Sequence, residues 1–165
     1  MAEEKRQFPT EVIDLPSKGH FYPSDNPLSS GQVEIKYMTA KEEDILTSAN
    51  LIQKGIVLDK LLQALIVSEG VNLDDVLIGD KNAITIAARI YGYGADYETK
   101  YSCPSCGTPQ STSFDLSDVQ PNNFEESLEE FDADIDYDSK VINFLVPRTK
   151  TKLQLKVLPE LPQNK

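Results

Sequence analysis

Two thiols could do chemistry in this chain. Cys103 and Cys106 stand in the run Cys103-Pro104-Ser105-Cys106-Gly107 and are the only cysteines among the 165 residues. A CPxCG turn aims both sulfurs at one ion, with the glycine relieving the backbone, so the chemistry on offer is zinc coordination. Structural zinc takes four ligands. The single histidine, His20, lies far upstream. Asp96, Glu98, Asp115 or Asp118 could supply carboxylate oxygens, or two chains could share an ion as a homo-oligomer. Otherwise the pair is two ordinary thiols at a hairpin tip. A redox role is a weaker reading. Redox CxxC sites use a helix N-terminus to lower the thiol pKa, and Gly107-Thr108-Pro109-Gln110-Ser111-Thr112 does not start a helix.

Other reaction classes lack their parts. No Gly-rich loop ends in Lys-Ser or Lys-Thr to cradle phosphate. His20, beside Phe21 and Tyr22, reads as a packed or surface residue rather than a base. Ser17 and Lys18 are adjacent, and adjacent residues in extended chain point to opposite sides. Arg89, amid an Ala-Ile helix, is expected to pair with Asp75 or Asp80. Tyr91, Tyr93, Tyr97 and Tyr101 cluster in sequence and suit a core or a binding surface. The expectation is a binding protein and not an enzyme, with a zinc- or thiol-dependent enzyme or redox protein as the alternative of another class.

Charge narrows the partners. The net charge is −11, and ten of the 27 acidic residues fall within residues 115–138, which hold no Lys or Arg. That leaves 17 acidic against 16 basic residues elsewhere. A chain without a basic face cannot gain the counterion-release energy of phosphate-backbone binding, so nucleic acid is set aside. No apolar run approaches the ~20 residues that span a bilayer. The opening MAEEKRQFPT lacks the apolar stretch of a secretory signal. A soluble, intracellular protein is expected.

The elements that would position the thiols follow from periodicity. Residues 1–32 read as an extended Pro-rich N-terminal arm, with a mobile charged tip and apolar residues that lie on its own core or on a partner. Gln32 to Tyr37 alternates as a strand. Thr39 and Glu42 fit a capping box, opening a helix to about Asn50 with Ile45, Leu46 and Ala49 on one face. Leu58, Leu61, Leu62, Leu65 and Ile66 mark a second helix over 56–67, with Asp59 a candidate cap. Residues 72–78 read as a helical turn. Asp80 reads as the N-cap of a further helix that Gly92 and Gly94 stop. Tyr97–Tyr101 and Ser111–Leu116 are expected to pair as a hairpin tipped by the cysteines. Phe124, Leu128 and Phe131 mark a short amphipathic helix. Residues 132–138 read as a solvated acidic connection. Lys140–Val146 and Thr151–Leu158 read as a last hairpin, with a fraying end after Pro159. The expected class is α+β: three to four short helices in a compact unit, then β-hairpins, one with a zinc-knuckle-like turn. The expected divisions are 1–32, 33–116 (helical core plus CxxC hairpin), 117–139 (acidic connection) and 140–165 (C-terminal hairpin and tail).

Four stretches in this order, LPSKGHFYP (15–23), MTAKEEDIL (38–46), VLIGDKNAITIAARIYGYG (76–94) and CPSCG (103–107), together resemble the T4-like bacteriophage baseplate hub assembly proteins, the baseplate hub assembly chaperones of contractile-tailed phages. The late VPRTKTKLQLKVL resembles that family too, so the likeness spans residues 15–158. It implies a non-enzymatic assembly factor that helps build the central hub by binding other phage tail or baseplate hub proteins. The implied location is the host cytoplasm during assembly, or the virion tail baseplate. A structural subunit retained in the hub is the alternative. The resemblance implies no catalytic residues.

Overall fold

Val33 and Ile35 alternate with Gln32, Glu34 and Lys36, and this period of two builds the first sheet. In the computed structural model, which describes residues 8–121 and 124–158, β1 (Thr10–Asp14) pairs antiparallel with β2 (Gln32–Lys36), Ile13 opposite Val33. The arm therefore lies on its own chain and supplies a strand. The expected mobile tip and fraying end fall, for residues 1–7 and 159–165, outside the described residues.

The connection between these strands is ordered by its turns. Lys18 and Gly19 both take positive φ, 50° and 79°. A Cβ on Gly19 would collide with the Ser29 carbonyl, so glycine is required there on two counts. Leu15, Tyr22 and Leu28 from this loop are buried with Val33 and Ile35 of β2, Leu62, and Val76, Leu77 and Ile84. That cluster is the main core; burying each large aliphatic side chain contributes about 1.5–3 kcal/mol.

Three helices follow: α1 (Ala40–Thr47), α2 (Ala49–Gln53) and α3 (Val57–Leu65). The capping box forms as expected: the Glu42 carboxylate accepts from Thr39 N at 3.0 Å and Thr39 Oγ1 at 2.5 Å. The expected helix to Asn50 is instead split. Ser48 is extended, with ψ 105°, and the Thr47 hydroxyl bonds back to the Glu43 carbonyl, a competition with the helix that these residues favour. Leu61 and Leu65 pack with Ala88, Met38, Ile45 and Leu46. Leu58, expected on the apolar face, is exposed. Asp59 does not cap; it pairs with Lys81 at 2.7 Å. The turn at 72–78 is a 3-10 turn, Leu73–Asp75.

Helix α4 (Ile78–Tyr93) starts two residues before Asp80, so Asp80 is inside the first turn and Leu77 is the cap. Gly92 does not stop the helix. It lies within it, where a Cβ would collide with the Met38 methyl, and Gly94 ends it with φ 86°. Strands β3 (Asp96–Ser102) and β4 (Pro109–Asp115) form the expected hairpin. After α5 (Phe124–Glu130), the chain makes a three-stranded antiparallel sheet of β5 (Ala133–Asp136), β6 (Val141–Leu145) and β7 (Lys152–Lys156). Strand β5 corrects the expectation of a solvated connection. Ala133 and Ile135 alternate with Asp134 and Asp136, and Ile135 is buried, so the acidic residues occupy the outward face of a strand. The α+β class holds, with five helices and three small antiparallel sheets among the described residues.

Candidate functional site

The cysteines sit at the tip of the β3–β4 hairpin. Cys103 N donates to the Thr108 carbonyl at 3.0 Å and Gly107 N to the Cys103 carbonyl at 2.8 Å, closing a tight turn with Gly107 at φ 71°. Both thiols are free; Cys103 is half-buried and Cys106 exposed. Cys106 Sγ lies 3.2 Å from Thr108 Oγ1. The Thr108 hydroxyl first, then the Thr108 backbone and Cys103, hold the Cys106 thiol below its usual range.

The carboxylates considered as further zinc ligands are not brought to the thiols. Asp96 and Asp115 face each other at the far end of the hairpin, while Ser102 and Pro109 face each other beside the tip. At ~3.3 Å per residue the two ends are roughly 20 Å apart. Glu98 pairs with Ser113, also toward the base, and Asp118 lies beyond it. No group of three or more His, Cys, Asp or Glu that could hold a metal occurs among the described residues. Two thiols fit zinc chemically, but one chain brings half of a tetrahedral set to the turn.

Arg89 departs from its expected pairing with Asp75 or Asp80. It donates to the carbonyls of Gly94, at 2.6 Å, and Asp96, at 3.1 Å, and its guanidinium stands over the rings of Tyr93 and Tyr97. It thereby fastens the end of α4 to the start of the hairpin. Beyond this clamp the hairpin is exposed on both faces, Tyr97, Tyr101 and Phe114 included.

Asp80 is the polar centre that sequence reading misassigned. It accepts from Ser17 N at 3.0 Å, Ser17 Oγ at 2.7 Å and Tyr22 Oη at 2.6 Å, while Leu77 N donates to Tyr22 Oη at 2.9 Å. Burial first, then the bond to Asp80, pushes the Tyr22 phenol well up. This fully satisfied network carries no spare donor for chemistry; it ties the 15–31 loop to α4. His20 stacks edge-on against Tyr137 at 4.9 Å.

A second feature was not legible in the sequence. An apolar groove of about 530 Å³ lies where the C-terminal sheet meets the first turn of α4. Pro16, Phe21, Leu77 and Ile78 form one side, and Phe131, Phe144, Leu155 and Val157 the other. Ile78 and Phe131 are each 57% exposed and Leu155 is 49% exposed, a high share for large apolar side chains that line one concavity. Helix α5 borders the groove through Leu128 and carries the exposed Glu126, Glu129 and Glu130.

The family model described as T4 bacteriophage base plate protein matches residues 9–160 of the chain. The chain belongs to that family. The match covers nearly the whole sequence, the thiol hairpin and the groove included. No curated protein and no solved structure matches it. This baseplate-family chain holds no helix, among its described residues, long and apolar enough to cross a membrane.

Proposed function

We propose that this baseplate protein is an assembly factor, a chaperone of the tail hub, that acts by binding other tail proteins and catalyses no reaction. The observation that carries this reading is the apolar groove with an acidic helix at its border. Large apolar side chains left open in one concavity gain free energy when a partner covers them. Helix α5, which meets the groove at Leu128, carries Glu126, Glu129 and Glu130, and this acidic charge favours a partner segment that has Lys or Arg near its apolar face. Membership of a baseplate family supplies the class of partner, phage tail proteins. An assembly factor needs such a segment only until the hub closes around it.

The test is quantitative mass spectrometry of the chain in hub precursors captured from infected cells and in purified mature tails. The expected result is presence in precursors and absence from tails. A fixed ratio to hub proteins in mature tails would make it a retained structural subunit. Ile78→Asp, which places a charge on an exposed wall of the groove, is expected to lower precursor capture at least tenfold with an unchanged fold. Undiminished capture would remove the groove from the account.

A further inference from the structure

We infer that the cysteine turn is one half of an intermolecular zinc site, completed by Cys103 and Cys106 of a second copy of this chain. The inference stands apart from the assembly role proposed above.

Three observations converge on it. The turn holds two free thiols at the outermost point of a hairpin, closed by the Cys103–Thr108 and Gly107–Cys103 backbone bonds. Asp96, Glu98, Asp115 and Asp118 all lie toward or beyond the far end of the strands, and no group of three or more His, Cys, Asp or Glu occurs among the described residues, so a second copy is the source of the missing ligands. The third observation is charge. Residues 101–114 contain no charged side chain, in a chain of net charge −11. Two copies brought together through the acidic 115–138 stretch, which holds nearly all of that imbalance, would meet like charges. Brought tip to tip, they meet through Ser, Thr, Pro, Gln and aromatic side chains alone.

A two-fold axis through the ion makes the contact self-complementary, with two sulfurs from each copy in a tetrahedral four-thiolate arrangement. Each bound thiol gives up its proton, so zinc uptake releases protons. The site also accounts for a hairpin whose two faces are both exposed. A two-stranded ribbon is marginal on its own, and a metal clip at its tip, with the exposed Tyr101 of two copies close by, would hold it.

The experiment uses the purified full chain, reduced and stripped of metal, titrated with Zn(II) alone and followed by light scattering and native mass spectrometry. The expected end point is one zinc per two chains and a particle of twice the 18.4 kDa chain mass, returned to single chains by a chelator. Substituting Co(II) should give the strong visible absorption of a tetrahedral four-thiolate site. Cys103→Ser and Cys106→Ser, at an exposed turn, should retain the circular dichroism of the wild type and lose both zinc and dimer. One zinc per single chain, or a zinc-free chain at saturation, would overturn the inference. So would a dimer that survives both the chelator and the serine variants.

Discussion

At the scale of single residues, Asp80 is the most consequential side chain outside the cysteine turn. It is 1% exposed and takes three hydrogen bonds from residues 58 and 63 positions away in sequence. Each donor would be buried without a partner if the carboxylate were removed, at a cost of about 1–3 kcal/mol apiece. Asp80→Ala is therefore expected to lose about 3–5 kcal/mol of stability, seen as a fall in the urea midpoint. Tyr22→Phe should lose less, about 1–2 kcal/mol, because Ser17 keeps its bonds to Asp80. Near-equal midpoints for Asp80→Ala and wild type would mean that the loop is held by its apolar contacts alone. The cysteines show the opposite case. Their turn is a local matter of five residues and was legible at once, whereas the absence of nearby carboxylates depends on strand register.

At the scale of elements, helix α1 begins on a titratable lock. Burial alone would raise the Glu42 pKa, but hydrogen bonds from Lys36, at 2.7 Å, and from Thr39 outweigh it and set the carboxyl at about 2, against 4.5 for the free group. The folded pKa is the lower one, so this stabilisation is complete above about 4.5 and is lost as the pH falls toward about 2. Wild-type stability, from urea midpoints by circular dichroism, should drop steeply across that window. Glu42→Gln should start lower at pH 7 and show a flatter profile there. Parallel profiles for the two proteins would assign the acid sensitivity to other carboxylates. The capping box itself was readable because its partners are three residues apart. The break at Ser48, the continuation through Gly92 and the conversion of 133–136 into β5 were not, since each depends on what packs against the segment.

At the scale of the molecule, the C-terminal sheet is anchored to the N-terminal loop through one cation. Lys140 Nζ donates to the carbonyls of Tyr22 and of His20, the latter at 3.3 Å, and His20 meets Tyr137 beside it. Val157 adds an apolar contact to the main core. Hydrogen bonds from a charged donor contribute about 1.5–3 kcal/mol, and about 1.4 kcal/mol is tenfold in an opening equilibrium. Lys140→Ala should therefore speed amide exchange in β5–β7 about tenfold or more and leave α3 and α4 unchanged. Equal acceleration in every element would show one cooperative unit, with no separate opening of the sheet. The groove borders this same junction, so its shape depends on the anchor.

The sequence by itself determined what short-range physics controls. The capping box at Thr39 and Glu42, the hairpin ending in two thiols, the short helix α5, the α+β class and the acidic surplus all follow from neighbours within a few residues. The four-stretch resemblance to phage baseplate proteins was equally legible, and the family match bears it out. Only the tertiary structure decided which distant groups meet. It turned the arm into a strand, buried Asp80 beneath Ser17 and Tyr22, sent Arg89 to backbone carbonyls and placed the hairpin carboxylates away from the thiols. It also opened the apolar groove, whose lining comes from three stretches far apart in the chain, 16–21, 77–80 and 128–157. Pairings across tens of residues depend on the packing of the whole core, and no local pattern of residue types encodes them.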